Sequence, residues 1–364
     1  MMYRGDEVRG VHLELTTRCN ARCPMCPRNV SGGRTTDFLP LAELSLADVK
    51  TIFPENFAKQ LRWLYMCGNY GDALAAKDTL EIFGYLREAN AKLELRLITN
   101  GGGRDAAWWR KLAGVVDWCT FSIDGLEDTN HLYRRGVDWK KLMTSVEAFI
   151  GAGGKADWDY LVFKHNEHQV EQARALARRL GFGRFNVKRT ARFLVNGRPV
   201  SRKPVLDDQG NVEYHLEMPS AEELRNSAFG EFESAAAKGQ AYRSYLDETP
   251  VTCKVLEPRQ IYVSAEGLVF PCCWTAKLYD KPPRQGEEWR LVEKLPGGTA
   301  ALDAKRLPIR DIVDGPYFQT LVPATWEAGS PARRESAVCT RVCGARDAVR
   351  AQKLPEPPAP DPAR

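Results

Sequence analysis

The chain has 364 residues, 43% hydrophobic and 27% charged, with a net charge of +5 from 52 basic and 47 acidic side chains. That balance fits a folded enzyme of one large or two ordinary domains, and it is too mild to argue for nucleic acid by itself. No apolar run approaches roughly 18 residues, so no membrane span is expected, and residues 1–7 lack the apolar stretch of a signal peptide. A reducing cytoplasm is the expected compartment, where the ten cysteines serve as ligands more readily than as disulfides.

Val11, Leu13 and Leu15 alternate with His12 and Glu14, which predicts a strand ending just before Cys19. Ser45-Leu46-Ala47-Asp48 opens a helix that runs to about residue 53. Residues 61–66 predict a second strand leading into Cys67-Gly68-Asn69-Tyr70-Gly71-Asp72, and residues 74–89 a helix. Leu93, Leu95 and Leu97 mark a third strand, which ends at Thr99-Asn100-Gly101. A helix over 108–112 precedes a fourth strand, 118–123, ending at Asp124-Gly125. A helix over 142–150, a fifth strand over 160–164, a helix capped by 166–169 and a sixth strand over 185–188 complete the series. Strands separated by helices pair in parallel through right-handed crossovers. The expected fold is therefore α/β, a partial (β/α)6 TIM-like barrel, with functional residues at the C-terminal strand ends. Every distinctive polar motif in this half of the chain follows a strand.

Residues 195–252 are turn-rich around 196–199 and 207–211 and predict a hairpin, then a polar helix over about 221–238. Residues 354–362 alternate proline and predict a disordered tail. The expected division is a barrel over 1–194, a bridge facing the substrate over 195–252, a second domain over 253–350 and the tail over 351–364.

The most specific motif is Cys19-Asn20-Ala21-Arg22-Cys23-Pro24-Met25-Cys26, a C-x3-C-x2-C run. Three thiolates this close can hold three irons of a [4Fe–4S] cube and leave the fourth iron open, whereas such cubes normally take four Cys. Structural zinc is the competing reading, but zinc sites usually pair C-x2-C knuckles and need a fourth ligand. A second group comprises Cys253, Cys272, Cys273, Cys339 and Cys343. Residues 261–270 read as a hairpin turning near Glu266-Gly267, which brings its flanking thiols to one end. Zinc held by four of these thiolates is the alternative here. Cys67 and Cys119 lie in apolar strands, where a buried inert thiol is the default.

The first cysteine run resembles the radical S-adenosylmethionine (SAM) superfamily. There the open iron chelates the amino and carboxylate groups of SAM, and reductive cleavage gives a 5′-deoxyadenosyl radical. The C-x13-G-x4-C stretch from Cys253 to Cys272 resembles the SPASM and twitch auxiliary-cluster domains found after such barrels. That resemblance implies a second [4Fe–4S] cluster on Cys253, Cys272, Cys339 and Cys343, with Cys273 as a possible substitute ligand. It also implies SAM contacts. Tyr70-Gly71-Asp72-Ala73 stands where the family has Gly-Gly-Glu-Pro, so Gly71 and Asp72 would meet the SAM amino group. Asn100, Ser122, Asp124 and Arg135 would complete the set, and Met25 would pack on adenine. Turn capping explains Ser122 and Asp124 equally simply, a surface ion pair explains Arg135, and plain packing explains Met25. Lys188, Arg189 and Arg192, at and just after the sixth strand, could bind an anionic substrate or form a solvated basic face.

The implied activity is hydrogen-atom abstraction from a substrate C–H for oxidation, dehydrogenation or cross-linking, with the auxiliary cluster carrying electrons and a flavodoxin- or ferredoxin-type reductant supplying them. A small molecule, a peptide or a nucleotide could be the substrate, and modification of a nucleic-acid base or a rearrangement stays open. A non-catalytic zinc-binding interaction protein is the alternative of another class. Because the barrel starts by about Val11, no N-terminal peptide-recognition domain is expected within this chain.

Overall fold

The computed structural model describes residues 2–195, 198–230, 242–344 and 352–354. The expected tail beyond 354, the end of the second domain beyond 344 and residues 231–238 of the helix predicted over 221–238 lie outside the described residues; its described start holds a short 3-10 turn, Glu222–Leu224. One nine-stranded sheet organises the molecule. Its strands are β1 (Gly10–Leu13), β2 (Trp63–Met66), β3 (Glu94–Thr99), β4 (Trp118–Ser122), β5 (Ala156–Leu161) and β6 (Arg184–Arg189), paired in parallel in that order. Helices α1 (Leu46–Ile52), α2 (Glu55–Gln60), α3 (Thr79–Ala89), α4 (Ala106–Ala113), α5 (Asn130–Tyr133), α6 (Trp139–Gly151) and α7 (Val170–Leu180) fill the connections. This is the α/β partial barrel that the strand periodicity predicts.

Two of the predicted boundaries are corrected. The fifth strand runs over 156–161 rather than 160–164. Asp157 and Asp159 are buried along it, and because aspartate is depleted in strands its start is masked; Asn166 follows it, accepting the Phe163 N–H at 2.7 Å. The helix predicted from 74 begins at Thr79. Before it lies only a 3-10 turn, Ala73–Ala75, closed by the Ala76 N–H on the Ala73 carbonyl at 3.1 Å; the Leu74 carbonyl is taken by Arg104 Nε at 2.7 Å and the Ala73 carbonyl also by Thr79 Oγ1 at 2.6 Å.

The small strands β7 (Leu194–Val195) and β8 (Arg198–Pro199) pair antiparallel, as do β9 (Arg202–Leu206) and β10 (Val212–Glu217). The β9–β10 hairpin carries the turn signalled by 207–211, where Asp207 Oδ1 accepts the Gln209 and Asn211 N–H groups. The hairpin predicted at 261–270 forms as β11 (Gln260–Val263) and β12 (Val269–Phe270). β11 does not stand apart: it adds a seventh parallel strand to the free edge of β1, with His12 opposite Tyr262. At the other margin β13 (Gln352–Lys353) pairs antiparallel with Arg189 and Lys188 of β6.

One core runs through the barrel and the C-terminal segment. Branched and aromatic residues of the strands, among them Leu64, Leu95, Phe121 and Trp158, pack under α3, α4 and α6, where Ile82, Trp109 and Phe149 are fully buried. The C-terminal segment is tied together by Arg333, which is itself fully buried. Its guanidinium donates to the carbonyls of Asp247 at 2.7 Å, Thr249 at 3.0 Å and Thr325 at 3.1 Å, and to that of Trp326. Arg333→Met keeps the length of the stem and leaves those carbonyls without a donor. We expect it to cost about 3–5 kcal/mol in denaturant unfolding. A loss under about 1 kcal/mol would show that water replaces the guanidinium.

Candidate active site

The candidate site residues of the first half of the chain lie at or just after the C-terminal ends of β1 to β6, where a parallel barrel places its site. The Cys19–Cys26 loop leaves β1 over the sheet. Its last turn is closed by Cys26 N–H to the Cys23 carbonyl at 3.0 Å. Cys23 is buried, and Cys19 and Cys26 are partly open. Donors point at the sulfurs: the Ala21 N–H lies 3.3 Å from Cys19 Sγ, Asn100 Nδ2 lies 3.7 Å from the same atom, and Arg134 Nη1 lies 3.7 Å from Cys23 Sγ. Such contacts stabilise thiolate ligands and tune a cluster. Burial raises all three thiols, Cys26 to about 11, and for Cys19 and Cys26 the other thiols of the loop add to it, whereas Arg134 pulls Cys23 down. Three mutually sensing thiols with donors on the sulfurs fit a cluster bound through one loop.

The loop after β2 is built against this one. A Cβ on Gly71 would lie 1.8 Å from the Thr16 carbonyl, so only glycine allows the approach. Buried Glu14 accepts the N–H groups of Tyr70 at 2.7 Å and Gly71 at 3.0 Å, and also the Tyr262 hydroxyl. Asp72 is buried, and its carboxylate is spent inside the chain. It accepts Thr99 Oγ1 at 2.8 Å, the Asn100 N–H at 2.8 Å, Asn100 Nδ2 at 2.8 Å and the Leu74 N–H at 3.1 Å. Asp72 therefore orients the β3 end, and Asn100 passes that order on to Cys19 and to Asn20 Oδ1, 2.9 Å away.

After β4, Asp124 is fully buried and pairs with Arg134 Nε at 2.6 Å while accepting the Leu161 N–H at 2.6 Å. Burial raises the Asp124 carboxyl and Arg134 opposes that shift. The arginine that reaches the cysteine loop is thus Arg134, which the sequence reading passed over. Its neighbour Arg135 pairs with Glu213 at 2.8 Å and lies over the Tyr214 ring. The doubled arginine was the only signal, and the short helix α5 decides which of the two turns inward. Ser122 is half-buried at the end of β4, and Met25 packs partly buried against the core. Lys188 is paired with Asp159. Arg189 has a buried Nε with no partner among the described residues. Arg192 donates to the Tyr133 hydroxyl, and its charge is felt at Cys23 and Cys26.

Cys253, Cys272, Cys339 and Cys343 line one pocket with Lys254 and Trp274. No carboxylate or imidazole lines it, a donor set that suits iron–sulfur or zinc. Cys253 and Cys339 are raised by burial and then by neighbouring thiols of this group, Cys339 to about 12. Cys273 does not line the pocket. Burial raises its thiol to about 12, and that thiol is in turn felt by Cys67, also raised to about 12 by burial. Its carbonyl accepts Asn69 Nδ2 at 2.7 Å, while the Asn69 carbonyl lies 4.0 Å from Cys26 Sγ. Among the described residues no group of three His, Cys, Asp or Glu is arranged to hold a single metal ion; a cube that takes one thiolate per iron does not require it.

Beneath the site, His12 is stacked on Tyr65 at 4.3 Å and edge-on to Tyr262 at 4.8 Å. Its Nε2 bonds the Cys67 carbonyl at 2.6 Å, and its Nδ1 is buried without a partner among the described residues. Burial lowers its pKa to about 3, and Lys254 adds to the shift. The unfolded imidazole takes a proton near pH 6.5, so between there and about pH 3 the unfolded chain binds more protons. Stability then falls with falling pH, by about 1.4 kcal/mol per unit. Chemical unfolding at pH 6.5 and 5.5 should show this slope, and His12→Phe should flatten it; equal slopes would contradict the assignment.

Residues 13–177 match the family model described as the radical SAM superfamily. That stretch, a little under half of the chain, is similar to that superfamily, whose shared chemistry uses a [4Fe–4S] cluster and SAM. In fold it is similar to anSMEcpe solved with AdoMet and the Cp18Cys peptide, at 15% identity and a TM-score of 0.53, over 92% of this chain and 88% of that one. It is also similar to SuiB of Streptococcus suis bound to the precursor peptide SuiA, at 12% identity and a TM-score of 0.52, over 86% of this chain and 67% of that one. Against SuiB bound to S-adenosylmethionine the identity is 13% and the TM-score 0.49, over 75% of this chain, which spans 62% of that protein's length. At these identities the likeness is one of fold. Among the described residues no helix is long and apolar enough to cross a membrane.

Proposed function

We propose that this chain is a two-cluster radical SAM enzyme that removes a hydrogen atom from an unactivated C–H of its substrate in a net oxidation. Dehydrogenation or cross-linking during peptide or natural-product maturation is the reading we favour. Cys19, Cys23 and Cys26 would hold the first [4Fe–4S] cluster, and Cys253, Cys272, Cys339 and Cys343 the second. When bound, the first cluster and SAM supply a 5′-deoxyadenosyl radical by one-electron reductive cleavage. The chain's own part is to position and to exclude water. Asn100, Ala21 and Arg134 present donors to the ligand sulfurs. Gly71 lets the β2 loop close on the cysteine loop, and Asp72 and Asp124 fix the strand ends beside it.

The observation that carries this reading is the pocket of the C-terminal segment lined by four thiols, joined through the Asn69 loop to the three-thiol loop. With four protein ligands a second cluster has no open iron, which suits an electron carrier and hence a net oxidation. A flavodoxin- or ferredoxin-type protein in a reducing cytoplasm would supply electrons. The peptides in the anSMEcpe and SuiB structures support a peptide substrate through likeness of fold. Anaerobic purification with metal analysis tests the reading: iron with sulfide supports it, and zinc without iron overturns it.

A further inference from the structure

Of the departures from Gly-Gly-Glu-Pro after β2, Tyr70 adds the most bulk. Its side chain is buried, and a buried phenol hydroxyl needs a partner. This one has two, both on the C-terminal segment: it donates to Asp280 Oδ1 at 3.0 Å and accepts the Tyr279 N–H at 3.0 Å. The Tyr279 ring packs edge-on against it at 6.0 Å. One residue earlier, Asn69 Nδ2 donates to the Cys273 carbonyl at 2.7 Å.

The segment that Asn69 and Tyr70 hold is also one wall of the four-thiol pocket. Pro271, Cys272, Trp274 and Thr275 line that pocket, and Thr275 Oγ1 donates to the Cys272 carbonyl at 2.9 Å. Asp280, the acceptor for Tyr70, also pairs with Lys277 at 2.9 Å, and Lys277 lies 4.5 Å over the Trp274 ring. On its other side the same loop packs on the cysteine loop. The Asp72 N–H donates to the Arg18 carbonyl at 2.9 Å, and Gly71 leaves no room for a side chain against Thr16. Residues 69–72 therefore bond directly to the supports of both thiol sites. A loop fixed at both ends cannot shift at one without strain at the other, so binding at the two sites shares free energy, reciprocally.

We propose that Tyr70 is a positioning residue that couples the two sites: a filled C-terminal pocket fixes the 271–280 segment, the Tyr70 hydroxyl holds the 69–72 loop to that segment, and SAM binds more tightly at the cysteine loop. The proposal rests on the two-cluster radical SAM reading and adds control of its SAM site by its second pocket. Simple packing of the Tyr70 ring is the competing role, and it predicts that Tyr70→Phe, which keeps the ring, binds SAM as wild type does.

The test is a double-mutant cycle on SAM affinity, read by calorimetric titration of the anaerobic, reconstituted protein with SAM. Tyr70→Phe removes only the hydroxyl, and Cys339→Ala removes a thiol from the second pocket. Each should weaken SAM binding about fivefold, and the double variant should lie within about twofold of the weaker single variant. Y70F should keep about eight irons per chain, which reports that it is folded and loaded. Independent effects, which would multiply to about twenty-five-fold, overturn the coupling. So does Y70F that binds SAM within about twofold of wild type. Should Y70F lose its iron, C339A decides alone: a loss of about fivefold supports the link, and affinity within about twofold of wild type overturns it. Wild type that binds no SAM fails the radical SAM reading, and wild type that holds only about four irons fails the two-cluster reading; both are distinct from a lost coupling.

Discussion

Cys26→Ala should abolish reductive SAM cleavage, lowering 5′-deoxyadenosine formation by more than about a hundredfold under dithionite. The expectation follows from the three-thiol loop. With one of its thiols removed, two remain, and a cube with two protein ligands cannot be held in the orientation that leaves one iron facing SAM. Cys26 is partly open and packs against the core, so alanine there removes few contacts and the variant should unfold within about 1 kcal/mol of the apo wild type. Cleavage persisting within tenfold of wild type would remove Cys26 from the site.

Cys339→Ala should behave differently. Its thiol lines the C-terminal pocket with Cys253, Cys272 and Cys343, on a segment apart from the SAM loop. The variant should lose about half of the iron while still producing 5′-deoxyadenosine without coupled turnover, at no less than about a tenth of the wild-type rate. Complete loss of cleavage in a folded Cys339→Ala protein would contradict the electron-carrier role and make the second cluster a requirement for the first step.

The parts of the barrel that were legible in the sequence are those where apolar and polar residues alternate. Val11, Leu13 and Leu15 in and just after β1, which is buried throughout, and Leu93, Leu95 and Leu97 around β3 marked their strands, and the cysteine loop then had to fall at a strand end. The resemblance to SPASM and twitch domains also singled out Cys253, Cys272, Cys339 and Cys343, which the fold collects around one pocket. At β5 the alternation was present but weak: Ala156, Trp158 and Tyr160 alternate with Asp157 and Asp159, both inside the barrel, and aspartate is depleted in strands, so the start of β5 did not read as one. The attachment of β11 to β1 was invisible because pairing across about 250 residues of chain leaves no local signal. The choice between Arg134 and Arg135 depends on a single turn after α5, and residue type alone cannot separate two neighbouring arginines. Asp72 had the right chemistry for an ammonium, yet its acceptors are consumed by Thr99, Asn100 and Leu74, a cost of burial that only the fold reveals.

The two cysteine groups differ in their surroundings. Donors stand around the sulfurs of the first loop, and the second pocket is closed by four thiols. Between them lie Asn69 and the backbone of Cys273.

The most direct test is electron paramagnetic resonance of the reduced, reconstituted protein with and without SAM, beside the variant in which Cys19, Cys23 and Cys26 are all alanine. Wild type should carry about eight irons per chain and show a signal that shifts on adding SAM; the triple variant should keep about four irons and a signal that SAM leaves unchanged. An iron-free triple variant, or a wild-type signal indifferent to SAM, would contradict a two-cluster radical SAM enzyme.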